Sequence, residues 1–256
     1  MKTLFTLLAI SLLVNLQAQS GRRLIELTGT ISENYPVKMT LTLENGKILG
    51  FYYYEKYKTK ILLSGQMDGN RITLNESPDY ETEFKMGFTG ELNAKTFVGQ
   101  WIDKRKDKTL NFRARVDSDN PVQITDEIKQ LEGNYKNINN TVSFKSSIRM
   151  KNIKDNLFCF EISTGKEDGC VGYLKGLIEL TDLSKGRYSD SSCDELNMEL
   201  SPEMVIITEK SCEWHGAFCS FEGKYKKNKK PQMGLLPDSH NPDRKPVKSS
   251  SLLSSL

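Results

Sequence analysis

Val37-Lys38-Met39-Thr40-Leu41-Thr42-Leu43, then Glu44-Asn45-Gly46-Lys47, then Ile48-Leu49-Gly50-Phe51-Tyr52-Tyr53-Tyr54, is the stretch that decides the fold. Val37, Met39, Leu41 and Leu43 alternate with Lys38, Thr40 and Thr42. A period of two puts alternate side chains on opposite faces, the signature of a half-buried strand. Asn45-Gly46 is the strongest short-range hairpin signal, because both turn positions tolerate positive φ. The run from Ile48 to Tyr54 is then the returning strand.

Outward from this hairpin the pattern repeats. Leu24 to Ile31 precedes it; Lys60 to Gly65, Arg71 to Glu76, Phe84 to Phe88, Thr96 to Ile102 and Leu110 to Val116 follow. That predicts about eight strands at sandwich or barrel spacing. Asp117-Ser118-Asp119-Asn120-Pro121 is expected to break the pattern. Thr125 predicts an N-cap, with Asp126 and Glu127 suited to the first turn of a short helix. A second block runs from Leu131-Glu132-Gly133-Asn134-Tyr135-Lys136 to Phe221-Glu222-Gly223-Lys224-Tyr225-Lys226, two segments that echo each other. In a closed barrel the first and last strands are neighbours, so similar segments can pair there. Between them a further set of strands brings this block to about eight. The predicted class is all-β, two tandem small antiparallel barrels over 22–118 and 131–227, joined by a linker over 119–130.

The ends differ in kind. Lys2, the apolar run Leu4 to Val14 and the small residue Ala18 read as a secretory signal over 1–18, too short to span a bilayer comfortably. The expected location is therefore exported, periplasmic or secreted, with no transmembrane segment. Between Lys224 and Lys248, eight Lys and Arg stand against Asp238 and Asp243. Such a tail could touch phosphate. Without interleaved aromatics or an amphipathic period, 228–256 reads instead as a solvated, disordered basic end, and no nucleic-acid partner is expected.

All five cysteines, Cys159, Cys170, Cys193, Cys212 and Cys219, lie in the second block. In an exported chain pairing is the default. Cys193 and Cys212 flank the hairpin Leu196–Leu200 and Met204–Thr208, whose turn is Ser201-Pro202-Glu203, so they are expected at matching ends of the ladder. Such a link is worth roughly 3 kcal/mol of loop-closure entropy. Cys212–Cys219 is the competing local loop. Cys159, between Phe158 and Phe160, reads as the buried free thiol, which leaves Cys170 with Cys219.

Few groups suggest chemistry. Cys212-x2-His215-x3-Cys219 approaches metal-ligand spacing, but a fourth ligand is missing and a disulfide loop carrying an exposed histidine is preferred. Cys–His nucleophilic catalysis would need a reduced thiol and an orienting group. Glu76, Asp79, Glu81 and Glu83 could serve glycoside hydrolysis or calcium, yet lack fixed spacing and read as a solvated loop. Asn75-Glu76-Ser77 and Asn139-Asn140-Thr141 match the glycosylation acceptor pattern. No phosphate loop, dinucleotide fingerprint, nucleophile elbow or zinc-protease motif is present. Neither a catalytic residue nor a metal or other cofactor is expected. The candidate ligand contacts are Tyr52, Tyr54, Trp101, Trp214 and His215, aromatic or amphipathic groups with a polar tip. Ordinary barrel filling is the plainer reading of the tyrosines.

Tyr35-Pro36-Val37, Gly50 with Tyr52-Tyr53-Tyr54, Leu63 with Gly65, Leu74 with Glu76 and Phe97 with Gly99 and Trp101 mark the first block; Gly133 with Tyr135, Gly172, Gly176, Tyr188, Cys193, Leu196, Cys212, Gly216 and Gly223 with Tyr225 mark the second. In these residues the chain resembles uncharacterised exported bacterial proteins with tandem barrel domains, and Leu16-Gln17-Ala18-Gln19 is similar to Bacteroidetes signals. The resemblance implies lipocalin- or avidin-like barrels and no particular activity. The expectation is a monomeric, non-enzymatic exported protein binding a small ligand or an envelope partner. The alternatives are a glycan- or peptide-acting hydrolase and a structural or inhibitory envelope module.

Overall fold

The computed structural model describes residues 21–76, 84–167 and 169–228. The expected signal over 1–18, the basic tail beyond Asn228, and Asp79, Glu81 and Glu83 lie outside the described residues. The chain forms two closed eight-stranded antiparallel barrels in tandem. The first comprises β1 (Arg23–Ile31), β2 (Tyr35–Glu44), β3 (Lys47–Tyr54), β4 (Ile61–Asp68), β5 (Arg71–Asn75), β6 (Met86–Leu92), β7 (Thr96–Asp103) and β8 (Lys108–Pro121). After the helix α1 (Asp126–Leu131), the second comprises β9 (Gly133–Asn137), β10 (Phe144–Lys154), β11 (Leu157–Lys166), β12 (Val171–Thr181), β13 (Lys185–Asp190), β14 (Cys193–Ser201), β15 (Met204–Cys212) and β16 (Gly223–Lys227). Strands pair in chain order, and β8 closes on β1 as β16 closes on β9. Among the described residues no helix is long and apolar enough to cross a membrane.

Local rules place the elements. Asn45 (φ 53°) and Gly46 (φ 74°) make the two-residue turn between β2 and β3, with Glu44 opposite Lys47. The Thr125 hydroxyl accepts from the Ile128 amide and caps α1. The echoed segments are a structural repeat. Gly133 and Gly223 both sit at φ 146°, where a Cβ is strained. In each, a buried tyrosine four residues after an apolar residue donates its hydroxyl back to that residue's carbonyl: Tyr135 to Leu131 (2.9 Å) and Tyr225 to Phe221 (2.6 Å). Each phenol is thereby satisfied inside the core.

One expected boundary moves. Asp117–Pro121 does not break the pattern; it continues β8, with a bulge opposite Glu26 and Leu27. The start of β1 needs this partner, and Pro121 stands at the strand end, where its missing amide costs no ladder bond. Arg23 pairs with Asp119 across the join.

The β2–β3 hairpin is not half-exposed as its alternation predicts. Met39, Leu41, Ile48 and Tyr52 fill the first barrel. The opposite faces of β2 and β3 meet the second barrel: Leu49 and Phe51 pack with Ile153, Leu157 and Cys159, and Thr42 donates to the Ile153 carbonyl at 2.7 Å. Beside this patch lies a buried ionic quartet. Glu132 binds Arg22 (2.8 Å) and Lys151 (3.1 Å), and Glu44 binds Lys151 (2.9 Å) and Arg22 (3.5 Å). Burial acts most strongly on the Glu44 carboxyl and raises its pKa, but Lys151 and Arg22 together outweigh it and hold the group below its ordinary range.

Candidate functional site

Ile72, Leu74 and Glu76 alternate along and just beyond β5, so Glu76 continues the inward face. Glu76 is 6% exposed, and its carboxylate accepts from the Tyr52 hydroxyl (2.9 Å) and the Trp101 indole N–H (2.5 Å) on one oxygen. Glu76 is thus no member of a solvated loop. Burial raises its pKa, and the bonds from Trp101 and Tyr52 offset only part of the rise. Tyr52, Phe88, Phe112 and Phe97 form successive edge-to-face contacts of 4.8–5.0 Å that fill the lumen. Tyr52 is 1% exposed. It therefore fills the barrel rather than facing a ligand, because eight strands leave room for little but side chains. Tyr54, half-buried at the rim, stacks edge-on against Tyr52 (5.6 Å) and Tyr35 (6.5 Å). Trp101 is also half-buried at this end. Nearby Asp103 is committed to the Arg105 amide (3.1 Å) and guanidinium (3.0 Å).

The second barrel carries a parallel device at the same end, where its odd-numbered strands finish. Asp190, at the end of β13, accepts from the Tyr188 hydroxyl (2.5 Å) and the Trp214 indole N–H (2.9 Å) on one oxygen. In both barrels the acid stands at the end of the fifth strand, and the tryptophan on or just after the seventh. Here, however, residues 213–222 cross the barrel end. His215 bridges to Gly172 at the start of β12, and the Gly216 amide donates to the Val171 carbonyl at 3.1 Å. Cys170 and Cys219 lie at disulfide distance with Cα atoms 5.9 Å apart. Cys193 and Cys212, opposite each other on β14 and β15, also lie at disulfide distance. Cys159 is the buried free thiol.

His215 is not the exposed histidine its loop suggests. Its side chain is 13% exposed, with Nε2 2.9 Å from Glu209 and Nδ1 3.0 Å from the Gly216 carbonyl. The same Glu209 oxygen accepts from the Ser220 hydroxyl (2.5 Å) and the Phe221 amide (3.1 Å). Serine and histidine both address the carboxylate rather than each other, so the cluster pins the strap and is no nucleophilic relay. Trp214 is half-buried against the core.

The site that gathers residues from both barrels is a cleft of about 630 Å³ at their junction. It exists because β12 and β13 pair through only two positions, Leu180 with Gly186 and Thr181 with Lys185, and then splay apart. The Tyr188 ring lies over Gly176, where a Cβ would come within 2.6 Å of it. Facing this gap are Lys58, Lys60 and Leu62 of the first barrel, with Glu76 at the inner edge. Lys175, Leu177 and Arg187 complete the far wall. Lys58 lies over the Tyr53 ring (5.4 Å) and Lys60 over Phe51 (5.7 Å), so the outward face of β3 positions both ammonium groups. A second depression of about 680 Å³ crosses β12–β15 and shares Glu179 and Arg187 with the cleft.

Of the expected contacts, Tyr52 and Trp101 reach the cleft only through Glu76, and Trp214 and His215 belong to the strap. Lys58, Lys60, Lys175 and Arg187 carry no motif, and only docking of the barrels assembles them. Glu76 did carry a signal: the inward alternation of Ile72 and Leu74 extends to it.

Fold and site together define a tandem pair of closed antiparallel barrels with a basic cleft at the junction. No family model matches the chain, and no curated protein matches it.

Proposed function

We propose that the chain is an exported, non-enzymatic binding protein that holds a small ligand in the cleft between its barrels. The cleft carries this reading: about 630 Å³ falls within the range of small-ligand sites, and its walls are fixed by the buried contacts between the barrels. The signal-like start, the two cysteine pairs at disulfide distance and the resemblance to exported tandem-barrel proteins support export. A non-enzymatic role is supported by the engagement of both His215 ring nitrogens. It is also supported by the burial of the Cys159 thiol, which pushes its pKa up to about 12.

A thermal-shift screen of residues 21–256 against envelope lipids, glycans and haem-like compounds tests the reading. A ligand present at 100 times its Kd should add about 2.7 kcal/mol of stability. Ser189→Trp, which fills the cleft from an exposed position on β13, should abolish that gain. A ligand whose stabilisation survives Ser189→Trp removes the cleft as the binding site. Separately, residues 1–20 fused to a reporter should carry it out of the cytoplasm with loss of the leader; a product retaining Met1 removes export.

A further inference from the structure

The geometry points to a small organic anion as the ligand: one acidic group on an apolar body, with the acidic group held among Lys58, Lys60, Lys175 and Arg187 and the body laid against Leu62, Leu177 and the Tyr188 ring. This inference rests on the cleft being the binding site.

The charge balance of the walls carries it. Four cationic side chains line the cleft against two carboxylates, Glu76 and Glu179. Glu179 lies 3.5 Å from Lys60 and is largely exposed, so it cancels little of the local field. Glu76 spends one oxygen on Tyr52 and Trp101. Lys175 donates to a neutral partner, the Ser64 hydroxyl at 3.1 Å, which leaves its charge uncompensated by that bond. Arg187 pairs with Glu195 at 3.3 Å on an exposed edge, a contact that exchanges at small cost. Lys58 and Lys60 rest on aromatic faces, so less side-chain freedom is lost when an anion binds. A concave site whose cations outnumber its carboxylates, with low-dielectric walls, concentrates anions. Leu62 and Leu177 adjoin the apolar patch between the barrels, which provides a dry surface for the rest of the molecule.

The test compares two probes sharing a naphthalene ring: anionic 8-anilinonaphthalene-1-sulfonate and uncharged N-phenyl-1-naphthylamine. Each is titrated by fluorescence into residues 21–256. The sulfonate should bind saturably at one per chain and at least tenfold more tightly than the neutral probe. Lys58→Glu with Arg187→Glu should weaken the sulfonate at least tenfold and the neutral probe less than twofold. Lys58→Gln with Arg187→Gln should fall between wild type and the reversal, and the thermal midpoint of each variant reports its folding. Ser189→Trp should displace both probes. Equal binding of the two probes, or sulfonate binding indifferent to charge reversal, overturns the anion assignment. If Ser189→Trp still displaces both probes in that case, the cleft reading stands without it. If Ser189→Trp displaces neither probe, the cleft reading and the anion assignment fall together.

Discussion

The two barrels share one topology and are fastened differently. In the first, each neighbouring pair of strands is in register over at least five positions, and there is no cysteine. In the second, β12 meets β13 at two positions and β16 meets β9 at three. Both cysteine pairs lie in this second barrel. Cys193–Cys212 ties β14 to β15, and Cys170–Cys219 ties the start of β12 to the strap leading into β16. Only the Cys170–Cys219 pair fastens a stretch that lacks strand pairing, the start of β12 that β13 does not reach; β14 and β15 are already in register over eight positions. The same short pairing leaves the gap from which the cleft is built, so the second barrel contributes the gap and the first the wall that faces it.

The comparison breaks most sharply at the join. Glu132→Ala leaves Arg22 and Lys151 buried with only Glu44 between them. Removing one partner of a buried ion pair costs about 3–5 kcal/mol. Denaturant unfolding followed at Trp101 and Trp214 should then resolve into two transitions, one per barrel. A single unchanged transition would show that the apolar patch alone couples them.

Next comes the fastening itself. Cys193→Ser with Cys212→Ser should lower the stability of the second barrel by about 2–4 kcal/mol. The loss should appear first in Trp214 fluorescence, with Trp101 following only as far as the interface transmits it. Peptide mapping without reductant should recover Cys193 linked to Cys212; Cys212 linked to Cys219 would contradict the register of β14 and β15.

A smaller effect is the pH response of the Glu76 device in the first barrel. The Glu76 pKa is raised in the folded barrel, chiefly by burial, so the folded state binds the proton more tightly than the unfolded chain. Its contribution is therefore most favourable at low pH and declines as pH rises from the ordinary glutamate range through the raised folded value. Glu76→Gln should remove that decline in the first barrel. An unchanged pH slope would mean that the Tyr52 and Trp101 bonds cancel the effect of burial. Smallest of all is the response at Cys159: with its thiol pKa pushed up to about 12 by burial, iodoacetamide at pH 8 should leave it unmodified until the protein unfolds.

Glu76 and the β2–β3 hairpin show how much was legible. Turn chemistry and period two identified that hairpin and its Asn45-Gly46 turn, with strand ends within two residues of β2 and β3, since both signals act between near neighbours. The near-symmetric spacing about Ser201-Pro202-Glu203 likewise placed Cys193 opposite Cys212. Glu76 was misread because a carboxylate beside Asp79, Glu81 and Glu83 resembles a solvated loop, although Ile72 and Leu74 set its direction. The buried outer faces of Thr40 and Thr42 had no local signal, because alternation marks them as solvent-facing; the unbroken apolar run around Leu49 and Phe51 was consistent with burial on both faces.

By itself the sequence determined the all-β class, the strand count, the turns, the capped helix and the pairing of Cys193 with Cys212. Each follows from backbone preferences or spacings within about twenty residues. Only the tertiary structure decided that Arg22 would meet Glu132, 110 positions away, that Cys159 would lie between the barrels, and that four basic side chains from two barrels would share one cleft. Alternation tells which residues share a face of a strand; what covers that face depends on how two finished barrels dock, and no local pattern encodes that.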